Sequence, residues 1–377
     1  MSPADSAVPT RAPPSWVEGL FQQADEARKA GRIRLAMEMH RRVVAASPND
    51  AVKIQHLGAI LSMLGLRVEA ERVLRRALAI EPGNAAAHHA LATTLLAQGR
   101  YPEAGPHYAA RFSLPQLGLK KPEGLPCPQW SGEALAGKRV VVFPEMGFGD
   151  QLQQARFAGL MRDRGAEVTL LCLPGLERLL AESLPGVRVI AARGSVDFSD
   201  PDAWMMSSDL MFLPGVTLET LPNAPYLRTD QPTPTLPDGY KIGLVTAGNP
   251  VHKNDANRSL PPALAGQLRT SLPGHVISLA PEATGARDFA DTAALIRGLD
   301  LVVTVDTSVA HLAGGLGKRA LVLIPALNTD WRWMHDREDS VWYPSLRLYR
   351  AHPTTGWAPA LERLVRDVQA EASGVAD

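Results

Sequence analysis

Residues 299–325, LDLVVTVDTSVAHLAGGLGKRALVLIP, carry the pattern that most clearly predicts a binding site. Leu301–Val305 is the apolar, β-branched run that a buried parallel strand needs, and an Asp-Thr-Ser triplet follows at its predicted end. Thr307 or Ser308 can cap the next helix, whose first N–H groups and positive dipole end favour a phosphate. Because ligands of open α/β sheets bind at the carboxyl ends of strands, we expect a site at Asp306 to His311.

A glycine turn precedes another predicted helix. Gly147 and Gly149, in the sequence MGFGD, permit a tight turn that brings the backbone close to a ligand. Asp150 follows at the helix start, where the helix dipole keeps a carboxylate ionised. From the residues alone, Asp150 can act on a ligand or only cap its helix.

A basic loop follows a third predicted strand. The sequence HKNDANRS (252–259) places His252, Lys253 and Arg258 together. By topology this loop faces the same cleft, so its cations could bind phosphate groups or remain solvated charges. His311 has two interpretations as well, a contact to phosphate or sugar and a partly buried helix residue.

Aromatic residues are concentrated near the C-terminus, at Trp331, Trp333, Trp342 and Tyr343. A Trp-Arg-Trp run can form a platform for a sugar or a base, but packing of this segment against the sheet is the favoured interpretation. No Asp-x-Asp metal motif stands near a predicted strand end. Positive side chains and a helix start could replace a cation, so we expect no metal.

Four segments resemble the family 9 glycosyltransferases, which include the bacterial heptosyltransferases and have the GT-B fold. DTSVAHLAGGLGK (306–318) resembles the family's Asp-Thr-Gly-x-x-His element, and GFGDQLQQARF (147–157) resembles its opening Gly-Asp turn. AGNPVHKNDANRSL (247–260) resembles the inter-domain phosphate segment. DWRWMHDREDSVWYPSLRLYR (330–350) resembles the tail of bacterial proteins that join this fold to tetratricopeptide repeats. The resemblance covers roughly residues 138–350.

The resemblance implies a role for Asp150. In heptosyltransferases the matching Asp is the proposed general base, which removes the proton of the acceptor hydroxyl. Glu145 is the neighbouring rival for this role.

The resemblance also implies a donor site. Lys253 first and Arg258 second would neutralise the departing nucleoside diphosphate. Thr307 and Ser308 would donate to its phosphates, and Asp306 would accept bonds from sugar hydroxyls. His311 completes the predicted donor site. The family usually has Gly at the position of Ser308.

Residues 17–118 divide into three tetratricopeptide units of equal length, 17–50, 51–84 and 85–118. The middle unit is the clearest: it has Gly58, Ala70 and Ala77 at the close-packing positions and Pro82 near its end. Three units are about the minimum for a stable stack. The stack can dock a peptide or protein, or it can only support the domain that follows.

The remaining segments complete the expected architecture, which is helical repeats followed by an α/β GT-B fold with a cleft between two Rossmann-like domains. A final helix near residues 357–372 could return to the first of these domains. The predicted boundaries are a disordered tail at 1–16, a linker at 119–137, an N-terminal Rossmann-like domain at 138–232, a C-terminal one at 238–350, and a helix and tail at 351–377.

The composition limits the partners and the location. Lys and Arg together number 39, as do Asp and Glu, so a nucleic acid or an anionic membrane is not expected as the main partner. The two cysteines, Cys127 and Cys172, lack metal-ligand spacing. The N-terminus lacks the features of a signal peptide, and no run approaches the roughly 20 apolar residues of a membrane span. We therefore expect a cytoplasmic protein.

These patterns and the resemblance predict an inverting, metal-independent glycosyltransferase that uses a nucleotide-sugar as substrate and needs no cofactor. Its design resembles that of O-GlcNAc transferases and of bacterial flagellin glycosyltransferases, which implies a protein acceptor, such as flagellin, recruited by the repeats. Two alternatives stay open. One is a lipopolysaccharide or other glycan acceptor, and the other is a non-catalytic scaffold that keeps the fold.

Overall fold

The computed structural model describes residues 14–194, 196, 198 and 200–374. Most of the predicted tail, residues 1–13, therefore lies outside the described residues. The N-terminal region consists of three helix pairs, as the repeat pattern predicts. The helices are α1 (Trp16–Lys29), α2 (Ile33–Ala46), α3 (Ala51–Met63), α4 (Arg67–Ile80), α5 (Ala85–Leu96) and α6 (Tyr101–Tyr108).

The same glycine turn joins the two helices of every pair. Gly31, Gly65 and Gly99 stand 34 residues apart, and each has a φ close to +75°. Only glycine adopts this left-handed conformation without strain, so the repeat period is visible in the backbone itself. Within the second pair, a Cβ built on Gly58 would lie 2.6 Å from the side chain of Leu74. The small residue is what lets α3 and α4 pack closely.

The chain divides into two compact units, and the third repeat is split between them. Of the described residues, one unit contains those up to Thr94 together with His107–Leu114, and the other contains Leu95–Pro106 together with those from Pro115 onwards. In the second unit Tyr101 is buried, and its ring lies 5.7 Å from that of Trp342 and 6.3 Å from that of Trp331. The start of α6 is thus part of the core of the α/β region.

The elements of the first sheet are β1 (Arg139–Phe143), α7 (Phe148–Asp163), β2 (Glu167–Cys172), α8 (Glu177–Ser183), β3 (Arg188–Ala191) and β4 (Ala203–Met206). The four strands are parallel and have the order β3-β2-β1-β4. The first three strands and the two helices between them form a βαβαβ succession, and β4 was not predicted.

The elements of the second sheet are β5 (Lys241–Val245), α9 (Asp255–Arg258), α10 (Pro262–Ser271), β6 (His275–Ser278), α11 (Pro281–Thr284), α12 (Phe289–Arg297), β7 (Leu301–Val305), α13 (Ser308–Gly315), β8 (Ala320–Ile324) and β9 (Leu346–Arg350). The five strands are parallel and have the order β6-β5-β7-β8-β9. The strand β7 lies where its apolar run predicts it, and β9 was not predicted.

The last helix, α14 (Ala358–Ala372), packs on the second sheet. Leu361, Leu364 and Val368 recur on one face of the helix and are buried in the core that β5, β7, β8 and β9 form. The expectation that this helix returns to the first sheet is therefore wrong, because its apolar face is already covered. None of the helices in the described part of the chain is long and apolar enough to cross a membrane.

The two sheets meet through helices. α7 is buried from Gln151 to Gly159 on all sides, and it contacts α13 of the second sheet. On α8, Arg178 forms ion pairs with Asp288 at 2.6 Å and with Asp291 of α12. These contacts hold the carboxyl ends of β1 and β7 near each other, and this placement determines the geometry of the candidate site.

Candidate functional site

The candidate site residues follow strands at the two points where strand order reverses. In the first sheet, the chain after β1 forms the turn at Glu145–Asp150, and β1 lies between β2 and β4. In the second sheet, β5 and β7 are neighbours, and their loops contain residues 246–254 and Asp306. Crevices of this kind, at the carboxyl ends of strands where the order reverses, are where open α/β sheets bind ligands.

The first turns of α7 and α13 are in contact. A Cβ built on Gly149 would lie 2.9 Å from Cδ2 of His311 and 3.4 Å from Cα of Ser308. Any side chain larger than hydrogen at Gly149 would separate the two helices or displace the ring of His311. The structure therefore brings Gly149 together with Ser308 and His311, which follow it by 159 and 162 residues in the sequence.

Asp150 has a partner for each carboxylate oxygen. Its Oδ2 accepts a hydrogen bond of 3.1 Å from the backbone N–H of Gly147, which closes the first turn of α7. Its Oδ1 accepts a bond of 2.6 Å from Nη2 of Arg332. Asp150 thus caps its own helix and is also tied to a residue of the second half of the α/β region.

Arg332 is the functional candidate that sequence reasoning missed. Only 5% of its side chain is exposed, and besides Asp150 it binds Asp330 through Nη1 at 3.0 Å. Its guanidinium also lies over the ring of Trp331, 4.4 Å from the centroid. Burial opposes the ionisation of Asp330, but Arg332 outweighs it and holds the pKa of Asp330 below its usual value. The only signal in the sequence was an arginine between two tryptophans, two residues after an aspartate.

Arg258 and Asp306 lie on the other side of this group. Arg258 donates from Nη1 to the backbone carbonyl of Asp306 at 3.0 Å, and from Nε to Asp255 at 3.2 Å. The carboxyl of Asp306 is buried beside Asp330, and both its burial and that neighbouring charge raise its pKa. The site therefore contains acidic and basic side chains of which Asp306, Arg258 and Arg332 are largely buried, and electrostatic interactions are stronger there than in water.

His311 is packed rather than open. Its Nδ1 is 3.0 Å from the hydroxyl of Tyr343, and its ring stacks on Trp333 with centroids 5.2 Å apart. Burial, and then the charge of Arg332, lower its pKa to about 3, so the ring is neutral at physiological pH. Trp333, Trp342 and Tyr343 are themselves buried, as the packing interpretation predicts.

Thr307 is the residue that caps α13. Its Oγ1 accepts from the backbone N–H of Val309 at 3.3 Å. Ser308 is the first residue of the helix and is half-buried. The turn thus has the form that the sequence predicts, with Ser308 next to the first turn of α7.

The side chain of Lys253 contacts a residue outside the predicted site. Its side chain is exposed, and Nζ donates to the carbonyl of Gln116 at 2.6 Å. Glu145, the rival of Asp150, is buried, and its backbone N–H donates to Oγ of Ser207 at 3.1 Å. In the described part of the chain, no three His, Cys, Asp or Glu residues are grouped as a metal site would require.

Comparisons with known proteins identify the repeats. A sequence profile of the tetratricopeptide repeat matches residues 63–106. Protein FlbA of Caulobacter vibrioides (strain ATCC 19089 / CIP 103742 / CB 15) is 26% identical over 441 aligned residues, which cover 93% of this chain and 72% of FlbA. The profile match establishes that the chain contains tetratricopeptide repeats. The similarity to FlbA extends over both the repeats and the α/β region.

Two solved structures align with about a quarter of the chain. A mutant of MamA is 26% identical over 26% of this chain and 73% of its own, with a TM-score of 0.25. The first TPR of Spaghetti (RPAP3) bound to the HSP90 peptide SRMEEVD is 18% identical over 26% of this chain and 77% of its own, also with a TM-score of 0.25.

Proposed function

We propose that the α/β region is a glycosyltransferase of GT-B type that transfers a sugar from a nucleotide-sugar to a protein acceptor recruited by the repeats. The observation that carries the proposal is the contact between the first turns of α7 and α13, with Asp150, Arg258, Arg332 and Asp306 around it. The proposed base, Asp150, and the proposed donor-site cations, Arg258 and Arg332, thus lie near the carboxyl ends of strands of two parallel sheets. The resemblance to family 9 glycosyltransferases supports the same assignment.

The proposed reaction needs a base and a site for the leaving group. Asp150 would accept the proton of the acceptor hydroxyl as its oxygen attacks the anomeric carbon. Arg258 and Arg332 would lower the energy of the negative charge that develops on the departing diphosphate, together with the N–H groups at the start of α13. Arginine cations can supply this charge stabilisation, so no metal ion enters the proposal.

Donor binding is the first test. We expect at least one of ADP-, UDP-, GDP- and CMP-sugars to bind the wild-type protein in a calorimetric titration. Arg258→Ala should then weaken binding by about 1.5 to 3 kcal/mol, the contribution of a charge-assisted hydrogen bond. Arg269→Ala is the matched control, because Arg269 is exposed at the end of α10 and should not change the affinity. Equal affinities for wild type and Arg258→Ala would mean that the phosphates bind elsewhere.

Turnover is the second test. Asp150→Asn should leave donor affinity nearly intact and reduce transfer by roughly two to four orders of magnitude, which is the usual contribution of a general base. Asp163→Asn is the control on the same helix, since Asp163 is exposed at the far end of α7. Full transfer activity of Asp150→Asn would remove Asp150 from the mechanism.

The protein acceptor is proposed from the repeats, whose stacks form extended binding surfaces. Trp16 and Val52 are exposed at the starts of α1 and α3, the first helices of neighbouring repeats. Trp16→Glu with Val52→Glu should reduce transfer of labelled sugar to protein and preserve donor binding. Val68→Glu, on the second helix of a repeat, is the control. Label that enters glycan or lipopolysaccharide instead would favour the alternative acceptor.

A non-catalytic scaffold is the second candidate function. It is favoured by the partners of Asp150, because both carboxylate oxygens are already bonded, one to the Gly147 N–H and one to Arg332. A purified protein that binds none of the four nucleotide-sugars, yet still binds a protein partner through its repeats, would support the scaffold.

A further inference from the structure

The backbone is strained directly after Arg332. Arg332 is the middle residue of a short 3₁₀ helix, Trp331–Trp333, and its backbone N–H donates to the carboxylate of Asp330 at 2.9 Å. The next residue, Met334, has φ 52° and ψ −157°, at the edge of a region that is populated almost only by glycine. A methionine in this conformation costs free energy, so contacts from elsewhere in the fold must hold it there.

Arg350, at the carboxyl end of β9, supplies such contacts. Its Nη2 donates to the backbone carbonyl of Trp333, and its Nε donates to the backbone carbonyl of Arg337 at 2.8 Å. These two carbonyls lie on either side of Met334 in the chain. The guanidinium thus ties together the two ends of residues 333–337, which we call the strained turn.

The contacts of Arg350 are confined to the strained turn. In the part of the chain that the structure describes, no carboxylate forms an ion pair with Arg350, and its third nitrogen, Nη1, is buried without a partner. An unpartnered buried donor in a native structure requires an explanation. By contrast, Arg347 of the same strand forms ion pairs with Glu338 at 3.4 Å and with Asp367 at 3.0 Å. Arg350 therefore differs from its neighbour in bonding only to backbone carbonyls of the turn.

The strained turn connects Arg350 to the candidate site. Trp333, whose carbonyl Arg350 holds, directly follows Arg332, and Nη2 of Arg332 donates to Oδ1 of Asp150 at 2.6 Å. Only 5% of the Arg332 side chain is exposed, so it has little room to adjust to a shift of its backbone. A movement of the strained turn would therefore change the position of Arg332 relative to Asp150.

We infer that Arg350 is a positioning residue of the proposed reaction, because it holds the strained turn and thereby keeps Arg332 on Asp150. The inference rests on the proposed function, in which Asp150 accepts a proton and Arg332 stabilises the leaving diphosphate. Arg350 itself bonds only to the turn, so its effect on turnover is indirect. A misplacement of about 1 Å that starts far from the reacting atoms can reduce a rate about 100-fold.

Hydrogen exchange followed by mass spectrometry tests the structural part of the inference. In Arg350→Met, residues 331–337 should exchange about tenfold faster, because two hydrogen bonds to the turn are lost. Residues 146–150, about 200 positions before Arg350, should also exchange faster, since Asp150 bonds to a backbone N–H of that segment. When Arg332→Met is already present, Arg350→Met should cause no further change at 146–150.

Two further variants serve as controls. Arg347→Met removes an arginine of the same strand that pairs with carboxylates outside the turn, so it should leave exchange in both segments unchanged. Arg350→Lys keeps the positive charge but offers one nitrogen in place of the fork, so its exchange rates should lie between those of wild type and Arg350→Met. This milder variant also decides the test if Arg350→Met folds poorly.

Turnover tests the catalytic part, with whichever of the ADP-, UDP-, GDP- and CMP-sugars wild type transfers. Per folded molecule, Arg350→Met should lower kcat about ten- to a hundredfold. The KM for the nucleotide-sugar should change less than about threefold, because Arg258 and the start of α13 still hold the donor. Arg347→Met should keep the kcat of wild type. A role in stability alone would reduce the folded fraction and leave kcat per folded molecule unchanged.

The outcomes separate the inference from the proposed function. Unchanged exchange at residues 146–150 in Arg350→Met would overturn the inference, and so would a further change there when Arg332→Met is already present. An unchanged kcat of Arg350→Met beside faster exchange would overturn the positioning role. A wild type that transfers no sugar would overturn the proposed function, whereas the exchange measurements would still decide whether Arg350 keeps Arg332 on Asp150.

Discussion

The contact between α7 and α13 predicts that Gly149 tolerates no side chain. In Gly149→Ala the new methyl would lie 2.9 Å from Cδ2 of His311 and 3.4 Å from the backbone at Ser308. The imidazole cannot easily move away, because it is bonded to Tyr343 and stacked on Trp333. The helices themselves must therefore separate, or the ring must leave its stack.

The change in the free energy of unfolding caused by Gly149→Ala follows from two opposing contributions. Overpacking of a well-packed interior costs about 1 to 3 kcal/mol. Replacing a helical glycine with alanine returns up to about 1 kcal/mol, because the unfolded chain loses freedom. Gly159→Ala, further along the same helix, is the matched control, since its methyl would have no neighbour closer than 3.8 Å. We expect Gly159→Ala to stabilise slightly and Gly149→Ala to destabilise, with a difference of roughly 1 to 3 kcal/mol.

Urea unfolding followed by tryptophan fluorescence measures this difference, because Trp333 stacks on the displaced ring. In thermal unfolding, each kcal/mol corresponds to a Tm shift of about 2 to 4 °C for a region of this size. Gly149→Ala should also weaken nucleotide-sugar binding if the two helix starts form the donor site. A Gly149→Ala variant as stable as Gly159→Ala would refute the described contact between the helices.

Three further predictions concern stability. Arg332→Met should lower the free energy of unfolding by about 1.5 to 3 kcal/mol, because it removes the hydrogen bonds from a buried cation to the partly exposed carboxylates of Asp150 and Asp330. Arg319→Met removes an ion pair of an exposed arginine and should cost under about 1 kcal/mol. Equal losses of the two variants in denaturant titrations would contradict the ion-pair network of Arg332. His40 is fully buried without a hydrogen bond to either ring nitrogen among the described residues, and burial lowers its pKa to about 4. Since the unfolded chain binds the proton first, the stability of the repeats should fall by up to about 3 kcal/mol as pH drops from 6.5 to about 4. Burial also lowers the pKa of the neighbouring His56, so His40→Phe should reduce this dependence in circular dichroism melts rather than abolish it. Tyr101→Ala should lower the free energy of unfolding of the α/β region by about 3 to 5 kcal/mol, and tryptophan fluorescence should detect the loss. Tyr101→Phe should change this free energy little. A loss of stability confined to the repeats would contradict the division of the chain into its two units.

The strands were predictable where the sequence is apolar and β-branched. Leu301–Val305 and Ala320–Ile324 are such runs, and they match β7 and β8 to the residue. The missed strands have different compositions. Ala203–Met206 contains no β-branched residue, and Leu346–Arg350 combines three apolar residues with two arginines and also lacks a β-branched residue. Their pairing depends on neighbouring strands that are distant in the sequence, and local pattern cannot supply that information.

The site was predictable as far as strand ends and turns define it. Gly149, Ser308 and His311 meet because each follows the carboxyl end of a parallel strand, which is a rule of topology. The pair of Arg332 and Asp150 joins residues 182 positions apart through one side-chain contact. No periodicity or turn signal encodes such a contact. The bond from Lys253 to the carbonyl of Gln116 likewise depends on a single loop conformation, and only the structure reveals it.

The burial of Tyr101 against Trp342 has a consequence for synthesis of the chain. Trp342 follows Tyr101 by about 240 residues, so at common elongation rates it leaves the ribosome roughly ten seconds or more later. During that interval the start of α6 has its glycine turn and its helix, but not the aromatic surface that covers it. Nascent chains that stall before the last strand would expose this apolar patch. We expect such chains to be the ones that chaperones retain or that aggregate.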